Sequence, residues 1–171
     1  SLAGTTKETH ESIRIGSDFN ALVDNLKVLS QIKREYNSKK PKVVLSYLLM
    51  QSNLEEVIYL PDLAQKAGVG KVIITNLDCI TSGFQDQEKV FSWIKEPTKA
   101  RRLLDYTRSK AEDKGLEWYN YPLVTDDEVL TCELDPTRII FISNQGLVYP
   151  CVYLNLPGFK TIKRIFCVKE Y

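Results

Sequence analysis

Two apolar runs of strand length lie on either side of a helical stretch, and this arrangement limits the fold more than any other feature. PKVVLSYLLM (41–50) and GKVIITNL (70–77) are almost continuous in β-branched and leucine side chains. Strands with this pattern are covered on both faces, as in parallel sheets. Between them, SNLE (52–55) predicts a helix start with a capping box, and helical spacing continues to Gly68. We therefore predict a βαβ unit with a right-handed crossover, and an α/β fold.

The segments around this unit divide the chain into two parts. Residues 18–37 predict an amphipathic helix capped by Ser17, residues 98–114 predict a second helix, and residues 116–124 predict a further strand in which Pro122 marks an edge. After residue 125 the helical periodicity ends, and short strands are predicted at 138–143, 146–154 and 163–168. The Asn144-Gln145-Gly146 sequence predicts a hairpin turn with positive φ at the glycine. We predict an α/β part over 1–124 and a small β appendage over 125–171.

The composition excludes several classes of protein. Lys plus Arg number 23 and Asp plus Glu number 22, and this net charge of +1 gives no electrostatic surface for nucleic acid or an anionic membrane. The longest apolar run is too short to span a bilayer. Four cysteines without a CxxC pair are too few for a secreted disulfide scaffold. These features favour a cytoplasmic protein with no nucleic-acid or membrane partner, whose thiols are reduced or bind metal.

Two of the cysteines bracket the predicted hairpin. Cys132 is followed by thirteen residues, Gly146, four more residues and Cys151. A hairpin could bring both thiols together, and thiolates are ligands for iron–sulfur clusters and zinc, with backbone N–H groups near the glycine free to bond cluster sulfurs. Two buried, inert thiols are an alternative that this spacing leaves open. A structural zinc site is a third alternative, which the wide spacing argues against.

The N-terminal half resembles the radical S-adenosylmethionine (SAM) enzymes that carry a SPASM or twitch extension. In that family the fourth barrel strand runs into a loop of the form SLDGxTxExxxxIRxGxxF, and the next βαβ unit carries N-x-E-E-x-x-x-L-x-x-x-A-x-x-x-G. The matching residues of the first pattern are Ser1, Gly4, Thr6, Glu8, Ile13, Arg14, Gly16 and Phe19, and those of the second are Asn53, Glu55, Glu56, Leu60, Ala64 and Gly68. The spacing Cys132, Gly146, Cys151 also fits the start of such an extension.

This resemblance implies a fold and a set of site residues. Residues 1–124 would be the C-terminal portion of a (β/α) barrel, and residues 125–171 would begin an auxiliary cluster domain. Ser1 would contact the SAM ribose, Arg14 the methionyl carboxylate, and Asn76 and Leu77 the adenine. Cys132 and Cys151 would be metal ligands. The cofactors of the full-length parent would be SAM and [4Fe–4S] clusters, and its substrate a small molecule or a peptide.

Departures from the family pattern limit what this chain itself can do. The CxxxCxxC that holds the catalytic cluster is absent, Ala3 replaces the loop Asp, and the later SPASM cysteines are missing. We therefore expect a fragment of an iron–sulfur oxidoreductase or maturase that is inactive alone and binds no cofactor, with its exposed barrel edge pairing between copies. The alternative is a stand-alone truncated module that binds a ligand or partner without cluster chemistry. Arg14 could instead pair with Glu8 or Glu11, and His10 is expected to be solvated.

Overall fold

The computed structural model describes residues 1–77, 79–80, 83–92, 97–124, 138–150 and 163–164, with the backbone alone at 79–80 and 163–164. Its elements confirm the predicted α/β class. In chain order they are α1 (Lys7–Ile13), α2 (Phe19–Glu35), β1 (Val44–Leu49), a 3₁₀ helix (Gln51–Tyr59), α3 (Leu60–Lys66), β2 (Lys71–Asn76), β3 (Cys79–Ile80), α4 (Gly83–Glu88), α5 (Thr98–Asp113), β4 (Glu117–Asn120), β5 (Phe141–Ile142), β6 (Val148–Tyr149) and β7 (Lys163–Arg164).

The main sheet is parallel, and its strands lie side by side in chain order. β1 pairs with β2 from Val44↔Lys71 to Leu49↔Asn76, and β2 pairs with β4. Leu2 extends this order on the outer side of β1, because its N–H donates to the Ser46 carbonyl at 2.7 Å and its carbonyl accepts the Leu48 N–H at 2.9 Å. The predicted βαβ pairing is therefore confirmed. Within the described residues the strands form an open sheet and do not close into a barrel.

One face of this sheet is covered by α2, the 3₁₀ helix, α3 and α5. Leu45, Tyr47 and Leu49 of β1 and Val72 and Ile74 of β2 point to that face and are buried. They form one core cluster with residues of α2, the 3₁₀ helix, α3 and α5, namely Phe19, Val23, Val57, Leu60, Ala64, Leu104 and Ala111. The alternation of strand side chains thus places one buried face against a single helical layer.

Two helix starts differ from the prediction. Asp18, and not Ser17, caps α2, because its carboxylate accepts the Ala21 N–H at 2.9 Å. The capping box predicted at Ser52 is wrong: a 3₁₀ helix capped at Met50 occupies this stretch, and the Glu55 carboxylate pairs with Lys99 instead. The reason is Asn53, whose side chain accepts the Met50 N–H at 2.8 Å and so holds the chain in a tighter turn.

The predicted hairpin turn is confirmed. β5 and β6 are antiparallel, with Phe141 opposite Tyr149, and Gly146 between them has φ of 78°. The Gly146 N–H donates to the Ser143 carbonyl at 2.9 Å, and the Ser143 hydroxyl accepts the Leu147 N–H at 3.1 Å. Both described strands are shorter than predicted. β7 does not join this hairpin, since it pairs antiparallel with β3.

Candidate functional site

The face of the sheet turned away from the helices is the candidate site. Its residues alternate with the buried ones and are half-buried or exposed; they are Val44, Ser46, Leu48, Lys71, Ile73, Thr75, Glu117 and Tyr119, which we call the open face. The side chains of Lys71 and Glu117 form an ion pair of 3.3 Å at the amino ends of their strands. Tyr119 packs edge-on against Tyr121, with ring centroids 5.7 Å apart. The open face is therefore mixed in character, with hydroxyls, aliphatic groups and an aromatic pair.

Ser1 and Arg14, predicted to contact SAM, are brought together beside this face. The Arg14 guanidinium donates a hydrogen bond of 2.8 Å to the Ser1 hydroxyl. Leu2 shares the helix-covered side with its partner Tyr47, so the preceding residue, Ser1, lies on the side of the open face. Glu11, an alternative partner for Arg14, accepts the Phe19 N–H at 3.1 Å. Because both Ser1 and Arg14 are exposed, a guanidinium and a hydroxyl are available there for an anionic group.

Asn53 anchors the chain just after Ser1. Its side chain is 0% exposed, and its amide donates to the carbonyls of Ala3 and Leu48, both at 2.9 Å. Its backbone carbonyl accepts a hydrogen bond of 3.1 Å from the buried Tyr47 hydroxyl. Burial raises the pKa of Tyr47 far above its ordinary value, and the charge of Glu56 adds to this, so the hydroxyl stays a donor. The first residues are thereby fixed to the end of β1.

His10 is a second anchor, and the expectation that it is solvated is wrong. Its side chain is 1% exposed, its ring packs 5.5 Å from that of Phe19, and its Nδ1 accepts the Ala3 N–H at 3.2 Å. Desolvation by burial, followed by the Arg14 charge, holds the pKa of His10 below its usual value and favours the neutral ring. Gly4 permits this approach, because a Cβ there would lie 2.5 Å from the His10 backbone nitrogen.

Asn76 and Leu77, predicted to contact adenine, lie where β2 ends. Asn76 is buried and donates from its side-chain amide to the Pro122 carbonyl at 2.8 Å. This hydrogen bond ties β2 to the chain after β4. Leu77 is half-buried. The structure does not join these two residues directly to Ser1 and Arg14, since two strand spacings, about 10 Å, separate the Leu2 position from β2.

The metal-ligand predictions at Cys132 and Cys151 lie outside the described residues, as does Cys167. Cys79 is described by its backbone alone, in β3. Among the described residues no group of three or more His, Cys, Asp or Glu side chains could hold a metal ion. Cys132 and Cys151 therefore stay predictions.

Comparisons of this chain with protein-family models, with curated proteins and with solved structures find no match.

The described part of the chain contains no helix that is both long and apolar enough to cross a membrane. The resemblance predicted Ser1 and Arg14 as site residues and matched Asn53 to a family pattern without giving it a role. It missed His10, although the three-residue spacing to Ile13 places both on one side of α1 and could have indicated an inward-facing ring.

Proposed function

We propose that this chain is part of a radical SAM iron–sulfur oxidoreductase or maturase, in which residues 1–124 form an arc of a (β/α) barrel. The observation that carries this proposal is the placement of Ser1 and Arg14, 2.8 Å apart, beside the open face of a parallel sheet whose strands follow chain order. Such a sheet, with its helices on one face, is the arrangement of strands and helices in a (β/α) barrel.

The resemblance to the radical SAM family implies a role for each residue, and the side-chain chemistry suits these roles. Arg14 presents a planar guanidinium suited to the carboxylate of SAM, and the Ser1 hydroxyl lies beside it for the ribose. Asn76 and Leu77 would border the adenine at the end of β2. Cys132 and Cys151 would supply thiolates to an auxiliary cluster, with the turn at Gly146 between them. Cluster-bound SAM would supply the radical in the full-length parent, whose substrate would be a small molecule or a peptide.

This proposal can be tested on the chain itself by NMR. The isolated chain lacks CxxxCxxC, so SAM should bind with a Kd on the order of millimolar, since one charge-assisted pair contributes modestly. We expect added SAM to shift the Arg14 side-chain Nε–H resonance. SAM should also shift the backbone amide resonances around Ser1, and these shifts should vanish in Arg14→Gln and persist in Arg34→Gln, which changes an exposed arginine of α2. A wild-type spectrum that SAM leaves unchanged would contradict the assignment of Arg14.

The cluster ligands need a separate experiment. Anaerobic reconstitution with iron and sulfide should give no stable cluster in this chain. The same treatment of the full-length parent should produce charge-transfer absorption, and Cys151→Ser should weaken that absorption. The parent is identified by reading about 150 residues of coding sequence upstream of Ser1, the length that completes a barrel. If that sequence lacks CxxxCxxC, the enzyme assignment fails.

A second candidate is a stand-alone module that binds a partner, and one observation favours it. Val28, Ile32 and Tyr36 recur every four residues on α2 and are exposed, on the side of this helix away from Ser30, which approaches Gly68. This stripe could pair with a second copy of the chain. Sedimentation velocity tests this: a wild-type dimer that Ile32→Glu converts to monomer would support it, and a monomer at all concentrations would exclude it.

A further inference from the structure

One carboxylate, that of Glu56 on the 3₁₀ helix, collects hydrogen bonds from a single short segment near Ser1. Its Oε2 accepts the Thr5 N–H at 2.7 Å and the Thr5 hydroxyl at 3.1 Å. Its Oε1 accepts the Thr6 hydroxyl at 3.2 Å and the Thr9 hydroxyl. Partial burial acts to raise the pKa of Glu56, but the hydrogen bonds from Thr9, Thr5 and Thr6 outweigh it, so the pKa lies below its ordinary value. The group is an ionised acceptor at neutral pH.

The segment that Glu56 holds cannot order itself. α1 has 7 residues, whereas isolated helices shorter than roughly 12 residues are marginal in water. Its order must come from contacts outside the helix. Glu56 binds its first turn through Thr6 and Thr9, and the His10 ring fixes its middle.

Arg14 follows directly from this helix. Its backbone N–H donates to the His10 carbonyl at 2.8 Å, and its side chain reaches back to the Ser1 hydroxyl. The guanidinium is exposed and flexible by nature, so its place beside Ser1 depends on where α1 ends. Glu56 makes its bonds at the opposite end of the helix, so an effect on Arg14 would have to pass through α1.

We propose that Glu56 is a positioning residue: by clamping the first turn of α1, it holds the Arg14 guanidinium beside Ser1 at the open face. The identity of the bound anion rests on the proposed function, but the positioning of Arg14 does not. The neighbouring Glu55 provides a control, because its carboxylate also accepts a side-chain hydrogen bond. Glu55 pairs with Lys99 on α5 and makes its contact away from α1.

The experiment compares Glu56→Gln, Glu56→Ala and Glu55→Gln by NMR in the full 171-residue chain. Amide exchange across α1 and the Arg14 Nε–H resonance are measured without ligand. We expect exchange about tenfold faster in Glu56→Ala, and less in Glu56→Gln, with loss of the Arg14–Ser1 contact in both. Glu55→Gln should leave both readouts as in the wild type. A Thr9→Val and Thr9→Ser pair then tests one donor: Ser should retain the Arg14 resonance, and Val should shift it.

The two hypotheses fail in different ways. If Glu56→Ala and Thr9→Val leave the Arg14 resonance and the exchange across α1 unchanged, the positioning role is overturned, whatever SAM does. If these readouts change as expected while SAM binds neither wild type nor variant, positioning stands and the proposed function fails. If SAM binds, Glu56→Ala should weaken its Kd about tenfold, and Glu55→Gln should leave it unchanged.

Discussion

Removing the Asn53 side chain should destabilise the whole fold. Asn53→Ala leaves three backbone groups unpaired: the buried Ala3 carbonyl and Met50 N–H and the partly buried Leu48 carbonyl. Each buried group without a partner costs about 1–1.5 kcal/mol net, so the free energy of unfolding should fall by about 4 kcal/mol. That is a large part of the total for a domain, roughly 5–15 kcal/mol. The melting temperature should drop by about 8–16 °C.

Urea denaturation followed by circular dichroism measures this effect. The midpoint should fall while the slope of free energy against urea stays constant, because the buried surface is unchanged elsewhere. Asn25 on α2 is exposed, so Asn25→Ala should change the free energy of unfolding by less than about 0.5 kcal/mol. A loss below about 1 kcal/mol in Asn53→Ala would refute the reasoning, since it would mean that the three backbone groups find other partners.

Asn53→Asp refines the test through pH. A carboxyl in this buried position, facing two carbonyl oxygens, must fold in its protonated form, which places its folded pKa above the unfolded value of about 3.9. The stability that the protonated form contributes is fully present below the unfolded pKa. It is lost as the pH rises through the folded pKa. Asn53→Asp should therefore lose up to about 1.4 kcal/mol per pH unit relative to Asn53→Ala between those two pKa values.

Two further predictions follow from single contacts. Burial holds the pKa of His10 below the ordinary histidine value of about 6.5, so the unfolded chain takes up a proton first as the pH falls. The free energy of unfolding should therefore decrease below about pH 6.5. His10→Gln should remove that part of the pH dependence in urea titrations at pH 5 and 7. At Gly68 (φ 68°) an added Cβ would lie 2.0 Å from the Ser30 hydroxyl oxygen, whereas at Gly115 (φ 69°) nothing lies within 4 Å. Gly115→Ala should lower the free energy of unfolding by about 1–2 kcal/mol, because of the left-handed backbone alone. Gly68→Ala should lower it by at least about 1 kcal/mol more, because the added methyl group meets Ser30. Equal urea midpoints for the two variants would contradict the contact between residue 68 and Ser30.

The sequence predicted the parts of this fold that depend on long apolar patterns. The runs at 41–50 and 70–77 predicted β1 and β2, because a strand buried beside parallel neighbours needs apolar side chains at most positions. Gly146 predicted its turn, since positive φ strongly favours glycine. These are local signals, and each was confirmed where the structure describes the chain.

The contacts that anchor the site had no such local signal, although the spacing of His10 and Ile13 indicates the inward side of α1. Glu56 bonds Thr5 and Thr9, which precede it by 51 and 47 residues. His10 is buried by Phe19 and by the Ala3 backbone, a contact that requires Gly4. Polar residues in a polar stretch predict solvent exposure. For Thr5 and Thr9 this prediction fails because their hydroxyls bond the distant Glu56 carboxylate. The 3₁₀ helix was missed for the same reason, because Asn53 bonds both its own turn and the distant Ala3.

The open face bears on which proposed function is better supported. Parallel sheets in proteins are almost always covered on both faces, because their strands are joined by crossover connections and carry apolar residues on each side. Here one face packs on helices, while Leu48, Ile73 and Tyr119 on the other are half-buried or exposed. A stand-alone module with no partner on this face would keep this apolar area in water at a cost of about 25 cal/mol for each Å². In an arc of a barrel the same face is the interior, which the remaining strands and a bound ligand would cover. Both proposals therefore require that the open face be covered, by the rest of a barrel in the first and by a bound partner in the second.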